Sequence, residues 1–284
     1  MNPVESTIKA PLASIILPVY NGADRIKEAI KSVSNQSYTD WELLVVDDGS
    51  TDNTEEIINN FLKNDSRIRY IKNKVNLGIQ KSLNKGLREA KGKYIARIDD
   101  DDIWIDKDKL KKQLEFLESN KEYVLIGTGV VVVDKNKKEL FRYLMLQEDQ
   151  KIRNKILRKN CFAHSSVVFR KDTALKLGGY SEEDDVRHIE DYDLWLKLGI
   201  FGKFANIGEY SIAFMERSGS ITSDNKIIQA KRTIFEIFKF KYQYPNFIIG
   251  YLLSIMRLLF FFIQKVVPFN EKFIYKIKKI YKQQ

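Results

Sequence analysis

The chain has 284 residues, of which 44% are hydrophobic and 12% aromatic, so it can bury a substantial core, and wholesale disorder is excluded. Its single cysteine, Cys161, excludes a disulfide framework and a thiolate zinc site, and its two histidines, His164 and His188, exclude a histidine-rich metal cage. The formal net charge is +10, but residues 1–223 are nearly neutral, so the excess positive charge lies in residues 224–284.

The first hundred residues alternate short apolar runs with helical patterns. Residues 14–19 and 41–46 are continuous apolar runs rich in β-branched residues, a pattern typical of buried strands. Residues 68–71 and 93–98 are predicted as a third and a fourth strand, and apolar residues at helical spacing fill the intervals between the strands. This alternation predicts right-handed βαβ units and an α/β fold with a parallel sheet.

Polar side chains follow three of these four predicted strands. Tyr20 and Asn21 follow the first strand, Asp47 and Asp48 end the second, and four consecutive aspartates, residues 99–102, follow the fourth. In such sheets, ligands bind beyond the carboxyl ends of the strands. Clustered carboxylates suit a hard divalent cation such as Mg²⁺ or Mn²⁺. The sequence therefore predicts a nucleotide or metal site at this edge of the sheet.

Beyond the fourth strand the chain continues with both kinds of element. Residues 106–119 are predicted as a helix, residues 123–134 and 139–146 as paired strands, residues 166–169 as a short strand, and residues 189–202 as a helix. The sequence contains no internal repeat and no low-complexity linker. We therefore expect one continuous α/β body.

Several well-known motifs are absent from the sequence. No G-x-G-x-x-G follows a predicted strand, which argues against a dinucleotide fold of the NAD type. No G-x-x-x-x-G-K-[ST] occurs, which excludes a P-loop kinase or ATPase. Neither G-x-S-x-G nor H-E-x-x-H is present.

Seven segments of the chain resemble the family 2 glycosyltransferases of the GT-A fold, inverting enzymes of bacterial surface-polysaccharide synthesis. The segments occur in the family's order: SIILPVYNG (14–22), WELLVVDDGSTD (41–52), NLG (76–78), ARIDDDDIW (96–104), HSSVVFRK (164–171), GGYSE (178–182) and EDYDLW (190–195). The resemblance covers about residues 12–222. It implies a Rossmann-like GT-A fold, in which a mixed, mainly parallel sheet is flanked by helices.

The resemblance also implies which residues hold the donor, a nucleotide sugar and most simply a UDP-sugar. Pro18, Tyr20 and Asp48 correspond to the residues that hold the nucleobase, Tyr20 by stacking and Asp48 by accepting the ring N–H of a uracil. Asn21 belongs to the same group of nucleotide-sugar contacts.

The four aspartates contain the family's D-x-D motif. The resemblance implies that Asp99 faces the ribose and the metal, that Asp101 binds the metal, and that Asp100 lies at the donor. The cofactor would be Mn²⁺ or Mg²⁺, shared with the donor diphosphate. The family's R-x-H-x-x-S-x-S corresponds to MERSGSIT (215–222), so Arg217 takes the histidine position. Arg217 can neutralise phosphate but cannot ligate a metal.

The acceptor side is implied by the segment EDYDLW and by the loop before residues 166–169. Asp191 corresponds to the catalytic base, and Glu190 lies beside it facing the acceptor. Without the resemblance, acids there are more typical of an exposed helix N-terminus, where the dipole favours them. His164 and Trp195 are assigned to the acceptor as well; a structural hydrogen bond and core packing are their respective alternatives.

Residues 224–284 are predicted as a basic, apolar segment of membrane-association helices that follows a catalytic domain of residues 1–223. Residues 247–263 are apolar except for Arg257, and this stretch falls short of the roughly 20 residues that a spanning helix needs. A lysine-faced helix beyond Pro268 is predicted to lie in the membrane interface. The anionic partner is therefore predicted to be a membrane at its cytoplasmic face, with the protein peripheral or monotopic, and not nucleic acid.

Three functions compete at this point. The first is a glycosyltransferase that acts on a lipid-linked saccharide at the membrane. The second is a sugar-phosphate nucleotidyltransferase, but residues 18–25 lack the Gly-rich, basic loop that those enzymes carry after the first strand. The third is a non-catalytic membrane-associated scaffold of the same fold, and retention of the aspartates argues against it.

Overall fold

The computed structural model describes residues 11–216 and 225–266, the side chains of residues 265 and 266 excepted. The strands are β1 (Ala13–Val19), β2 (Trp41–Asp47), β3 (Ile68–Lys72), β4 (Tyr94–Arg97), β5 (Ile103–Trp104), β6 (Tyr123–Val133), β7 (Glu139–Tyr143), β8 (Val168–Arg170) and β9 (Lys203–Met215). The helices are α1 (Ile26–Ser34), α2 (Thr54–Leu62), α3 (Ile79–Glu89), α4 (Lys109–Ser119), α5 (Asp149–Ile156), α6 (Lys171–Lys176), α7 (Glu190–Phe201), α8 (Lys226–Lys239) and α9 (Phe247–Val266).

The first half of the molecule is the predicted parallel unit. Strands β3, β2, β1 and β4 lie side by side in that order, and each neighbouring pair is parallel. Successive side chains of a strand point to opposite faces of the sheet. Ile15 accordingly packs in one core cluster with α1, α2 and α4, whereas Ile16 packs in the other with α3, α5 and α7. The sheet is therefore covered by helices on both faces.

The second half makes the sheet mixed. Strand β8 pairs antiparallel with both β4 and β6, and β6 runs parallel to β9. Strands β5 and β7 add antiparallel edges to β9 and β6. The structure thus confirms the α/β class with a mixed sheet flanked by helices.

Two long elements of this half did not show in the sequence pattern. Strand β9 carries bulges opposite residues 123–130 of β6, which break the alternation of apolar and polar side chains. Helix α5 is largely charged and buries only Ile152 and Ile156, so its apolar face is too narrow to stand out.

Helix α8 packs into the same core cluster as the catalytic body. Its residues Ala230 and Ile237, followed by Phe240 and Tyr244, are buried, and the last three pack with the inner face of α7. The predicted division of the chain at residue 223 therefore does not coincide with the edge of this core.

Helix α9 is longer than the apolar stretch in the sequence indicated. It has 20 residues, and its segment Phe247–Gln264 is long and apolar enough to cross a membrane by length and composition, with 11% of that segment buried. The expectation that the run is too short to span is therefore wrong, and the helix fits a membrane-associated tail. The lysine-faced helix predicted beyond Pro268 lies outside the described residues.

Candidate active site

The loops that follow β1 and β2 are tied together at the carboxyl end of the sheet. Asn21 has a left-handed backbone (φ 48°), and its N–H donates to Ser50 Oγ at 2.9 Å. The Asn21 side-chain oxygen accepts the backbone N–H of Thr51 at 2.8 Å. Asn21 thus positions the second loop, and its predicted contact with the donor stays a prediction.

Asp48 organises a third loop, the one after β3. Its Oδ1 accepts hydrogen bonds from Asn73 Nδ2 at 2.9 Å and from the backbone N–H of Leu77 at 2.8 Å, and its Oδ2 accepts the N–H of Gly78 at 2.8 Å. The carboxylate is 4% exposed. An oxygen that accepts one bond has a second lone pair, so Oδ2 can still accept a nucleobase N–H. The predicted nucleobase contact is compatible with this geometry.

Gly49 shows how closely these loops approach. It has a φ of 79°, and a Cβ at that position would lie 2.6 Å from the carbonyl carbon of Val75. Only glycine avoids both the strain and the clash. Beside this loop, the ring of Tyr20 is 44% exposed and offers a face for stacking, while Pro18 is buried within β1.

Asp100 joins the acidic loop, residues 99–102, to the loop after β1. Its Oδ2 accepts hydrogen bonds from Arg25 Nε at 3.0 Å and Nη2 at 2.9 Å, and Arg25 also donates to the carbonyl oxygens of Tyr20 and Asn21. Burial raises the pKa of Asp100 to about 7, with the charge of Asp101 adding to the effect against that of Arg25. Its donor contact stays a prediction, since the carboxylate has this structural partner.

Asp102 supports the acidic loop from below. The side chain is buried, and one oxygen accepts the backbone N–H of Met215, at the end of β9, at 3.3 Å. Burial raises its pKa well above the ordinary range, and the charges of Asp101 and Asp99 act in the same direction. The end of β9 is therefore held beside the acidic loop.

Asp99 is held by a buried arginine that the sequence reading did not single out. Arg97 Nη2 donates to Asp99 Oδ1 at 2.6 Å, and Ser165 Oγ donates to Oδ2 at 3.1 Å. The Arg97 side chain is fully buried in β4, and its Nη1 donates to the carbonyl oxygens of Ile16 and Ile98. Burial is the largest influence and acts to raise the pKa of Asp99, but the charge of Arg97, a smaller contribution from His164 and the hydrogen bonds from Arg97 and Ser165 together lower it. The sequence does contain a signal for this role, because Arg97 is a charged residue inside the otherwise apolar end of the run 93–98.

Glu190 and Asp191 open helix α7 within reach of the same arginine. Asp191 Oδ2 accepts a hydrogen bond from Asn160 Nδ2 at 2.9 Å. Burial raises the pKa of Asp191 to about 6, while the N–H of Tyr192 and Asn160 act against it. No pattern in the sequence marked Asn160.

The environment of Glu190 differs from that of an exposed helix terminus. Its side chain is 8% exposed, and its Oε2 is buried with no hydrogen-bond partner among the described residues. Burial raises the pKa of Glu190 to about 7, and the charge of Asp191 adds to the effect. A solvated cap would show neither property, so the acidic pair belongs to an enclosed site.

His164 and Trp195 lie beneath this pair. The ring of His164 is partly buried, and its Nε2 lies 3.1 Å from the hydroxyl oxygen of Tyr180. Burial lowers the pKa of His164 to about 3, helped by the charge of Arg97, so the imidazole is neutral. Trp195 is fully buried against Phe169. Its predicted contact with the acceptor is therefore wrong, because neither ring face can reach a sugar.

The acidic loop fits a divalent cation that is shared with the donor. Among the described residues, no group of three or more His, Cys, Asp or Glu is arranged to hold a metal by itself. Burial raises the pKa values of Asp100 and Asp102, and the neighbouring negative charges of the acidic loop add to the effect, a repulsion that a cation relieves. Asp101 and Asp99 would supply hard oxygen ligands, with phosphate oxygens completing the coordination. Arg217 lies outside the described residues.

Comparison with known proteins agrees with this geometry. The family model described as Glycosyl transferase family 2 matches residues 14–177. The chain is 36% identical over 227 residues to the putative glycosyltransferase EpsE of Bacillus subtilis (strain 168), a match that covers 77% of this chain and 80% of EpsE.

Two further matches cover most of the chain. It is 34% identical over 225 residues to the UDP-Glc:alpha-D-GlcNAc-diphosphoundecaprenol beta-1,3-glucosyltransferase WfgD of Escherichia coli, covering 78% of this chain and 83% of WfgD. The structure of the mannosyltransferase PcManGT from Pyrobaculum calidifontis in complex with GDP-Man and Mn²⁺ superposes with a TM-score of 0.61 at 17% identity, covering 96% of this chain and 80% of that one. At so low an identity the likeness establishes the fold, and it confirms the GT-A expectation.

The family match spans more than half of the chain and includes the loops that carry Asp48 and the acidic run. The two relatives extend the match over more than three quarters of the chain. The chain therefore belongs to glycosyltransferase family 2.

Proposed function

We propose that this glycosyltransferase moves a sugar from a UDP-sugar to a hydroxyl of a lipid-linked saccharide, with inversion at the anomeric carbon. One observation carries the proposal: Asp99 of the acidic loop pairs with the buried Arg97, and Glu190 and Asp191 at the start of α7 lie within electrostatic range of the same charge. Such a convergence supports a donor site and a base facing one reaction centre. The family that the sequence resembles transfers sugars in bacterial surface-polysaccharide synthesis, which is the same chemistry.

Asp191 acts as the general base. A hydroxyl is a poor nucleophile until a carboxylate takes its proton, and a base with a pKa of about 6 is ionised at neutral pH while remaining a competent proton acceptor. Asn160 holds one carboxylate oxygen at 2.9 Å, which orients the other towards the acceptor. Glu190, beside it, contacts the acceptor sugar.

The remaining residues position the donor. Tyr20 stacks on the uracil, Asp48 accepts the ring N–H, and Arg97 keeps Asp99 ionised and fixed towards the ribose. A divalent ion held by Asp101 and Asp99 would supply Lewis-acid stabilisation to the charge that develops on the departing diphosphate.

The bonds made and broken follow from this arrangement. The acceptor oxygen attacks the anomeric carbon as Asp191 takes its proton. The bond to the diphosphate oxygen breaks, and the nucleoside diphosphate leaves with the electron pair. One base and one leaving group on opposite faces give a single in-line displacement, so the configuration inverts.

The acceptor and the location are proposed from the tail. WfgD is named for an acceptor carried by diphosphoundecaprenol. In this chain α9 exposes Ile248 by 70% and Met256 by 64%, a surface that suits lipid. We place the enzyme at the cytoplasmic face of the membrane, with α9 on the anionic leaflet and the body beside lipid-linked acceptors.

A donor screen tests this function. Purified full-length protein is incubated with Mn²⁺ and a panel of nucleotide sugars, with and without a lipid-linked saccharide, and released nucleoside diphosphate is measured. Transfer predicts nucleoside diphosphate from a UDP-sugar, increased by acceptor. A nucleotidyltransferase would instead release inorganic diphosphate from a nucleoside triphosphate and a sugar phosphate, and a scaffold would release nothing.

A further inference from the structure

Arg257 places a positive charge inside the otherwise apolar helix α9. Gly250, Ser254 and Arg257 fall on one face of that helix, because they follow one another at intervals of four and three residues. The body covers this face: a Cβ on Gly250 would lie 2.4 Å from the carbonyl oxygen of Leu157, and Ser254 is buried. Arg257 Nη2 donates to the carbonyl oxygen of Arg158 at 3.0 Å. The guanidinium therefore points towards the catalytic body.

The opposite face of α9 is apolar and exposed. It presents Ile248, Leu252, Met256, Leu259, Phe262 and Ile263. The arginine is thus on the side of the helix away from the surface proposed to contact lipid. This position avoids the cost of a charge among acyl chains.

The loop that receives Arg257 leads directly to the base. Arg158 precedes Asn160 by two residues, so their Cα atoms are at most about 7 Å apart. Asn160 in turn donates to Asp191 at 2.9 Å. The guanidinium of Arg257, on α9, therefore lies beside the short segment that carries Arg158 and Asn160.

Arg158 has an unsatisfied donor. Its Nε–H is buried and finds no hydrogen-bond partner among the described residues. A buried unsatisfied donor is unfavourable, and a bound anion would relieve it. Guanidinium groups match the paired oxygens of a phosphate in geometry as well as in charge.

We propose that Arg158 and Arg257 bind the phosphate ester of the lipid-linked acceptor. The inference rests on the proposed function and gives that acceptor a second anchor: its saccharide hydroxyl lies at Asp191, and its phosphate lies at the junction between body and membrane. Bulk anionic phospholipids carry the same phosphate chemistry, so the test has one arm for each source.

The first arm compares two acceptors that share one saccharide. Full-length Arg158→Gln, Arg257→Gln and Arg257→Lys are assayed in neutral detergent with a lipid-diphosphate saccharide and with an uncharged alkyl glycoside. The KM for the diphosphate acceptor is expected to rise about tenfold to a hundredfold in both Gln variants, less in Arg257→Lys, with the KM for the uncharged acceptor and for the donor unchanged. Lys231→Gln removes the same charge from an exposed position of α8 and is expected to leave all three KM values at wild-type level.

Equal losses on both acceptors would overturn the proposal and leave Arg257 with a structural role, as a contact between α9 and the body. The second arm measures sedimentation with phosphatidylcholine vesicles, with and without phosphatidylglycerol. If the Gln variants lose binding to the anionic vesicles while using both acceptors normally, the arginines bind bulk lipid and the proposal is wrong. Failure of the proposed function itself is distinguishable, because the wild-type protein would then use neither acceptor.

Discussion

Arg97 sets the electrostatics of the site at the scale of single residues. It pairs with Asp99 at 2.6 Å, and its charge also opposes the burial that raises the pKa values of Glu190 and Asp191. A guanidinium stays charged at any working pH, so these carboxylates share a permanent counter-charge. Enclosed acids can therefore remain usable as bases near neutral pH.

Asp191→Asn tests the base. The substitution keeps the size of the side chain but removes its ability to take a proton. We expect turnover to fall by about 10²–10⁴ while the dissociation constant of the donor, measured by calorimetry, stays within about twofold. Unchanged turnover would assign the base elsewhere, with Glu190 the next candidate.

Glu190→Gln tests how much the burial of an ionised Glu190 lowers the stability of the folded protein. The folded-state pKa of Glu190, about 7, lies above its ordinary value of 4.5, so the unfolded chain ionises first. The native state is therefore penalised progressively as pH rises from about 4.5 to 7, and the full penalty is present above pH 7. Glu190→Gln is expected to raise the Tm at pH 8 and to have little effect at pH 4.5. An increase in Tm of equal size at both pH values would show that the charge of Glu190 is not the cause of the lower stability.

Asp101 is the residue on which the metal prediction depends. Chelator is expected to abolish release of nucleoside diphosphate, and Mn²⁺ or Mg²⁺ to restore it, since the acidic loop holds only part of the ion's coordination. Asp101→Asn should raise the Mn²⁺ concentration needed for half-maximal activity by about tenfold or more. Asp108→Asn, a partly exposed acid later in the chain, serves as the matched control. Full activity in excess chelator would instead assign the neutralisation of the diphosphate to protein cations.

At the scale of elements, the two helices of residues 225–266 have different roles: α8 packs into the core, and α9 exposes an apolar surface. Helix α8 completes the core beneath α7, where Ile237, Phe240 and Tyr244 are buried. Helix α9 leaves most of its apolar surface uncovered. Helix α8 therefore contributes more buried side chains to the core than α9 does.

Two shortened chains test this division. A chain of residues 1–245 keeps α8 and is expected to remain in the supernatant after ultracentrifugation, to hydrolyse donor at a wild-type rate and to lose activity on lipid-linked acceptor. A chain of residues 1–224 removes α8, exposes its core partners and is expected to unfold at a lower temperature or to aggregate. Equal melting temperatures for the two chains would show that α8 contributes no core. If the chain of residues 1–245 still pellets with membranes, the membrane contact lies within the body.

At the scale of the whole molecule, the sequence was most informative about the apolar strands that end in aspartates. The run WELLVVDD, and the aspartates after KYIARI, predicted both the parallel sheet and the edge that carries the site, because burial of a strand fixes its composition. The role of Asn160 could not be predicted, because its hydrogen bond to Asp191 depends on how a distant loop packs against α7. Trp195 was misassigned because a buried aromatic and an exposed one look alike in sequence. The bulges of β9 and the burial of α8 depend on distant contacts that no local pattern reports.

The docking of α9 has a consequence for the size of the substrate. Through Gly250, Ser254 and Arg257 this helix is fastened to the loop that ends at Asn160, and Asn160 holds Asp191. If α9 lies on the bilayer, the reacting centre stands at a constant height above the lipid. The enzyme would then select acceptors by length. A saccharide whose terminal sugar does not reach that height is not a substrate, and a saccharide whose terminal sugar lies beyond it is released. We expect a lipid-linked acceptor series of increasing length to show a single preferred number of sugars.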